Sequence, residues 1–509
     1  MRIGKLLALI VVSLTAILLI VVPAQAAKKD TLVAAFPTKF GSMDQYKSTQ
    51  RISLNIGYLM WDPLVLRDPA TGQIQPHLAK SWKVIDPTTW EFNLVSGVKF
   101  HNGNPFNAEC VRFTIEDRIL APEQKSPQAG NFKWVKKIEV IDDVTLRIIT
   151  EKPYPLVVER LNTLFIYDPV ETKAKGDAWV AEHAMGTGPY KFVRWDRGSQ
   201  LVMTANPDYW IKGLPKIKNL TMKVIPETST RVAEMISGNI DVAAELEPDQ
   251  WDLIAKAKGV KPLDIPILRV NFWQFDGTGK ASKSPLMDKR VRQAICYAVD
   301  RKAILKTVMK GLADPIDAPM HPLQFGYDPS VKGYDYNPEK AKALLKEAGY
   351  EKGFDLDLWQ YYGYQNYPNQ AAMGYLNEVG INVNLKDYRG NVAQVIKLRN
   401  AGKMTGIGNM TWGSYNIFDA DAILPAWFLS KESKCYNNDP DLDTWLTEAR
   451  FSVDQDKRKE LYSKAQKKIV EEAYWMPFFV VHNIYGINNK LDLVVGRDEV
   501  PRFTTATWK

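Results

Sequence analysis

Residues 81–112 read SWKVIDPTTWEFNLVSGVKFHNGNPFNAECVR, and their core is a strand: Trp90, Phe92 and Leu94 face one way, Glu91 and Asn93 the other. Two further stretches answer it downstream, MGTGPYKFVRWDRGSQLVMTANPDYW at 185–210 and SPLMDKRVRQAICYAVDRKAI at 284–304. Taken singly, each is a strand, turn or helix pattern with no chemistry in it. Upstream, residues 30–36, with Leu32 and Val33, predict an opening strand. Around Asp142-Asp143, Ile138 and Val140 share one face of a strand and Val144, Leu146 and Ile148 one face of the next, which predicts a β-hairpin.

Helices take over later. Val291, Ile295, Ala298, Leu305 and Val308 recur at spacings of three, four and seven and predict one apolar stripe closed by Gly311. Asn337-Pro338-Glu339 supplies a cap, a first-turn proline and an acid at the positive helix end; Ala341, Leu344, Leu345 and Ala348 then form a buried face that Gly349 ends. Residues 370–379 predict another helix, 381–385 a strand, and 442–469 a further helical run. Strands and helices intermix without a strict βαβ repeat, so the class is mixed α/β.

The start of the chain has the form of an export signal. Arg2 and Lys5 precede an apolar run of roughly 17 residues, at the lower edge of a spanning length, and Ala24-Gln25-Ala26 follows with small-x-small form. Cleavage after Ala26 leaves 483 of 509 residues, too many for one core, and lowers the net charge from +8 to +6. No cysteine lies near the cut, so a lipid anchor is not expected and the mature chain is expected free in a Gram-negative periplasm. Cys110, Cys296 and Cys435 permit one disulfide at most, and spacing does not choose the pair. Lys and Arg are interspersed with Asp and Glu, which argues against nucleic-acid binding.

Together and in this order, the three stretches resemble the large periplasmic solute-binding receptors of ABC importers, the extracellular family 5 or peptide/nickel/oligosaccharide-binding type. The likeness runs from about Leu32 to Leu491. It implies a two-lobed periplasmic binding protein fold (type II, large cluster) with an inserted, mostly β third domain. By that analogy lobe I comprises 27–57, 184–268 and 477–509, the inserted domain 58–183, and lobe II 269–476, after a signal peptide at 1–26. The implied function is a monomeric receptor that captures a small peptide-like or other organic solute by lobe closure and delivers it to an inner-membrane ABC permease. The rivals from other classes are a periplasmic hydrolase and a peptide-holding chaperone on the same fold.

Enzyme chemistry finds no support. His77, His101, His183, His321 and His482 are scattered with no i, i+3 or i, i+4 pair, and the cysteines form no CxxC. Neither a GxSxG elbow nor a phosphate-cradling glycine loop occurs; Gly186-Thr-Gly188 runs into Pro189 and reads as a tight turn. His101, beside Asn102 and Gly103, reads as a turn residue bonded to backbone rather than a metal ligand. No catalytic residue, metal or cofactor is expected.

Aromatics gather where the resemblance places the cleft. Trp359, Tyr361, Tyr362, Tyr364 and Tyr367 fall within nine residues, Trp412 and Tyr415 within four, and Phe272, Trp273 and Phe275 lie near the expected hinge. About half should be packing residues and half should line a pocket. The expected ligand set is Phe36, Trp273, Trp359, Tyr361, Tyr362, Trp412, Tyr415 and Asp419. Departures from the family narrow the solute: dipeptide-binding members hold the ligand's amino group with an aspartate where this chain has Tyr415, and its carboxylate with an arginine that the Tyr367-Pro-Asn-Gln turn lacks. Asp419 and Asp421 remain, with Ala420 in place of a proline, and Asp419 either caps a helix or reaches a cationic ligand. A modified amino acid, an oligosaccharide or a longer peptide fits better than an ordinary dipeptide.

Overall fold

The computed structural model describes residues 30–509, so the export-signal reading lies outside the described residues. Its frame is a pair of long strands, Val260–Phe275 and Trp475–Asn488, antiparallel from Val260↔Asn488 to Gln274↔Trp475. They belong to an 11-stranded sheet and are the central pair that joins its two halves. On one side lie Val242–Leu246, Thr31–Phe36, Asn219–Val224, Gln200–Ala205 and Tyr190–Asp196, with Thr31–Phe36 parallel to both of its neighbours. On the other lie Ile407–Trp412, Phe354–Gln360 and Ile381–Asp387. Together they form the two-lobed periplasmic binding protein fold.

The sequence of Val260–Phe275 changes character along its length for a physical reason. Its first half carries Pro262 and Pro266 and pairs on one side alone, so the missing N–H groups cost no ladder bond. Its second half is paired on both sides and buried on both faces. There alternation splits the residues between two cores: Val270 and Phe272 pack into one, Trp273 and Phe275 into the other. Pairing lapses between Pro266 and Val270, and Arg269 sits in that gap.

Residues 79–150 form a separate four-stranded antiparallel sheet, Ala79–Asp86, Thr89–Leu94, Thr145–Thr150 and Val135–Asp142 in spatial order. The hairpin around Asp142-Asp143 forms in register, Ile138↔Ile148 and Val140↔Leu146. Leu146 and Ile148 are fully buried, whereas Val140 is 40% exposed at the sheet edge. Two helical expectations need correction. The stripe from Val291 to Val308 is broken into Lys289–Ala298 and Arg301–Thr307, because Asp300 leaves helical geometry and its side chain accepts the Ala303 N–H at 2.9 Å. The run at 442–469 divides likewise into Pro440–Phe451 and Gln455–Glu471, the second capped by Asp454. The helix expected at 370–379 begins earlier, at Asn366. Cys110, Cys296 and Cys435 are all buried free thiols.

The second of the quoted stretches, residues 185–210, folds onto one buried carboxylate, Asp62. It accepts from Thr187 Oγ1 (2.9 Å), Tyr209 Oη (2.9 Å) and Trp210 Nε1 (2.9 Å), and it pairs with His77 Nε2 at 2.8 Å. Burial works to raise this carboxyl, yet His77, Trp210 and Thr187 hold it below the ordinary range. Gly186 and Gly188 flank the junction because backbone runs against them: a Cβ on Gly188 would lie 2.5 Å from Met60 C and 2.6 Å from Trp61 N. His101 closes the turn, its Nε2 at 3.0 Å from the Gly188 carbonyl, and burial drops its imidazole to about 4. It is a neutral backbone-bonded turn residue.

Gly188→Ala is therefore expected to cost about 1–3 kcal/mol, since the clash is with main chain that has no rotamer to yield. Gly374→Ala is its counterpart: Gly374 lies inside Asn366–Glu378, a Cβ there would meet nothing within 4 Å, and alanine should stabilise by about 0.5–1 kcal/mol. Urea unfolding of the two variants should shift in opposite directions.

Candidate functional site

Five segments far apart in the chain converge beside the gap in the central ribbon. Arg51 opens the helix Arg51–Met60; Glu245 stands on Val242–Leu246; Arg269 fills the unpaired gap; residues 413–416 follow Ile407–Trp412; and Glu499 comes from the C-terminal segment. Glu499, 5% exposed, binds Arg51 Nη2 through Oε1 at 3.2 Å and Arg269 Nη2 through Oε2 at 3.0 Å. Arg51 also donates from Nη1 to Asn416 Oδ1 at 2.8 Å and from Nη2 to the Gly413 carbonyl at 3.1 Å. Burial works against the Arg269 charge, but Glu499 beside it raises its basicity overall.

Glu245 is different. It sits where the pairing of Val242–Leu246 with the ribbon slips, at φ 53°, a left-handed conformation unusual for its type. Its carboxylate has no hydrogen-bond or ion-pair partner among the described residues. Burial, and then the Glu499 charge, push its carboxyl up. Left-handed non-glycine residues concentrate here: Glu245, Ser414, Tyr415, Asn416 and Glu499 are five of the eight among the described residues. Backbone strain of this kind persists where the surroundings fix it, typically at ligand-handling sites.

Segments that flank the two halves of the sheet touch across this cluster. Tyr415 Oη donates to the Thr49 carbonyl, Tyr367 Oη to Asp249 Oδ2 at 3.2 Å, and Arg67 Nη2 to the Asn416 carbonyl at 2.8 Å. Glycines make the approach close. A Cβ on Gly363 would lie 2.2 Å from Glu247 Oε1, and one on Gly413 would lie 2.9 Å from both Arg269 Nη2 and Glu499 Oε1. A cavity of about 730 Å³ adjoins the cluster at Asp498 and is walled by Arg67, Thr71, Glu159, Phe325 and Phe418. Its size suits a small organic molecule, although its walls include none of the expected aromatics.

The expected ligand residues divide by burial. Phe36 (1% exposed) and Trp273 (0%) are core side chains, and Trp273 donates to Asn369 Oδ1 at 3.3 Å. Trp359 donates to the Thr405 carbonyl at 2.6 Å and stacks on Tyr388; Tyr361 accepts the Thr411 N–H at 3.2 Å. Asp419 is 3% exposed, accepts the Asp421 N–H and is held by Arg458 Nη2 at 2.8 and 2.9 Å; burial lifts its carboxyl to about 6 against the pull of Arg458. Of its two readings, the cap geometry is present. Tyr362, Trp412 and Tyr415 keep partly open faces. The charged members Arg51, Glu245, Arg269 and Glu499 were absent from the expected set. A lone arginine interrupting the apolar run Ile267-Leu268-Arg269-Val270 was the one visible signal.

Among the described residues no group of three or more His, Cys, Asp or Glu is placed to hold a metal ion, and no helix is long and apolar enough to cross a membrane. The charged cluster of Arg51, Glu245, Arg269 and Glu499 lies beside the gap in the central ribbon, between the two halves of the large sheet. Residues 73–435 match the family described as bacterial extracellular solute-binding proteins, family 5 Middle, and the chain belongs to that family. The chain is 28% identical over 480 residues to the glutathione-binding protein GsiB of Pectobacterium atrosepticum, covering 91% of each. The dipeptide-binding protein of a Pseudoalteromonas species, solved with Met-Leu, superposes with a TM-score of 0.83 at 22% identity over 94% of this chain and 100% of that one. NikA of Brucella suis, solved with Fe(III)-EDTA, gives a TM-score of 0.84 at 23% identity over the same shares. The chain is a solute-binding receptor of the type that serves ABC importers.

Two outcomes follow. Tyr361→Ala should cost about 3–5 kcal/mol of stability, as loss of a buried aromatic does, whereas Trp412→Ala should weaken solute binding by about 1–3 kcal/mol with a smaller loss of stability; calorimetry and melting on the same proteins separate the two. The second concerns His482 on the ribbon, between Asp264 (2.9 Å) and Asp314 (3.1 Å) and near His321, which burial keeps neutral. Burial opposes its charge, but the two aspartates outweigh it and raise its value. Its stabilisation is thus complete below the ordinary histidine value of about 6.5 and is lost as pH rises through the higher folded value. From pH 6 to 8 the wild-type melting temperature should fall more steeply than that of His482→Gln.

Proposed function

We propose that this receptor captures a small peptide-like or other organic solute in the cleft beside Arg269, closes on it, and hands it to an inner-membrane ABC permease without changing it chemically. The observation that carries the reading is the charged cluster beside the gap in the central ribbon, with a carboxylate, Glu245, that has no partner among the described residues, inside a ring of contacts that cross between the lobes. A solute that bridges the lobes binds the closed form better than the open one, and that differential affinity is what shifts the population. Tyr362, Trp412 and Tyr415 supply the apolar and hydroxyl-rimmed wall; Arg51, Arg269 and Glu245 supply charge.

The rest of the reading follows the family. The mature chain begins after Ala26, carries no lipid and works as a monomer in the periplasm. Lobe I takes 27–57, 184–268 and 477–509, the inserted domain 58–183 and lobe II 269–476. The likeness to a glutathione-binding relative makes glutathione and other short peptides the first solutes to try.

Titration calorimetry of the purified mature chain against glutathione, dipeptides and tripeptides, with the recovered solute analysed by mass spectrometry, tests this. One unaltered solute bound per chain is expected. Arg269→Gln should weaken it by about 1.5–3 kcal/mol, the worth of a charged hydrogen bond. Product formed in excess over protein would make the chain a hydrolase instead.

A further inference from the structure

Among the described residues seven arginines are less than 8% exposed, and six of them have strong acceptors. Arg67, Arg118, Arg301 and Arg458 meet the carboxylates of Glu159, Asp44, Asp317 and Asp419. Arg231 and Arg292 are ringed by main-chain carbonyls, among them those of Ala244 and Ile225 for the first and Leu286 and Glu472 for the second. Arg399 is the exception. It is 5% exposed at the end of the helix Val392–Asn400, and its guanidinium donates to the amide oxygen of its neighbour Asn400 alone, from Nε at 3.2 Å and Nη2 at 3.1 Å. Neither a carboxylate within 4 Å nor any acceptor for Nη1 occurs among the described residues.

A second cation stands beside it. Lys434, half-buried, has no ion pair or hydrogen bond from Nζ among the described residues; Nζ lies 5.4 Å from the ring centre of Trp412. Arg399 Cζ lies 4.8 Å from the ring centre of Trp427, and the two indoles meet edge to face at 5.6 Å. The two positive groups therefore share one aromatic floor. Burial, reinforced for Lys434 by the Arg399 charge, makes both less basic than usual. Glu432 pulls on Lys434 without reaching ion-pair distance. Stacking on indole offsets only part of the cost of two desolvated cations. Buried charge in proteins is otherwise paired, and here the pairing group is missing.

We propose that the notch between Arg399, Lys434 and the Trp412–Trp427 pair takes an oxyanion of the captured solute, a carboxylate or a phosphate group. The inference rests on the receptor reading, because Trp412 belongs to the proposed cleft wall. A planar guanidinium with a free Nη1 and a mobile ammonium suit an oxyanion's several lone pairs, and the indole faces exclude water from around it. The site assigns a negative arm to the solute, held apart from the Glu245 end of the cleft, where a positive group finds its acceptor.

The test uses the mature chain and simple probes, sodium acetate and inorganic phosphate, titrated at constant ionic strength against chloride. Tryptophan fluorescence and melting temperature are the readouts. In the wild type one probe should give a saturable response; Lys434→Gln should weaken it about tenfold or more, and Lys434→Arg should keep it within about threefold. Response to acetate alone assigns a carboxylate solute, and response to phosphate assigns a phosphorylated one. Arg399→Gln should abolish the response, and if that variant does not fold, the half-buried Lys434 series decides. No saturable response in the wild type, or equal responses in wild type and Lys434→Gln, overturns the proposal. A chain that binds a peptide by calorimetry yet ignores both anions loses this notch and keeps the receptor reading; one that binds the anions but no solute of any class loses the receptor reading instead.

Discussion

The rest of the structure hangs on the pairing of Val260–Phe275 with Trp475–Asn488, which gives each half of the large sheet its inner edge. Two strands bonded along their length resist shear, so relative motion of the halves has to be taken up where the bonding lapses. That place is the stretch between Pro266 and Val270. Proline spacing on the open flank and the register slip both weaken the ladder there without cost to the core behind it. Arg269 occupies the lapse, and Glu499 joins it to Arg51.

Two polar networks of this protein serve opposite ends. Around Asp62 every oxygen is answered, by Thr187, Tyr209, Trp210 and His77, and the glycines beside it leave no room for anything else. A fully satisfied buried network fixes one geometry, and here it locks the 185–210 stretch to the segment that carries Asp62 and His77. In the cleft the accounting is incomplete. Among the described residues Glu245 lacks a partner, Arg399 and Lys434 lack an anion, and five residues hold left-handed backbone. Strain and unpaired charge in the same neighbourhood are features of a surface that a ligand completes.

Local structure was legible wherever one element decides it. The alternation of Trp90, Phe92 and Leu94, the turn at Asp142-Asp143 and the cap at Asn337 all form as their residues dictate. Helix continuity was less so, because the 3.6-residue period of Val291 to Val308 runs across the break that Asp300 imposes. Which aromatics are packing residues was hidden for a similar reason. A strand buried on both faces gives an alternating aromatic no exposed side, so Trp273 goes to the core although it lies on the ribbon. Arg51, Glu245, Arg269 and Glu499 come from four segments whose proximity is a property of sheet order, and no periodicity reports that.

The most direct test of a receptor that pivots at the ribbon is a distance between its lobes. Nitroxide labels at Ser237 and Gln370, both exposed, can be introduced without interference because Cys110, Cys296 and Cys435 are buried. Pulsed electron-electron double resonance should give a longer, broader distance distribution for the solute-free protein and a shorter, narrow one at saturation. The same distribution with and without a saturating, tightly bound solute would contradict closure about this pivot.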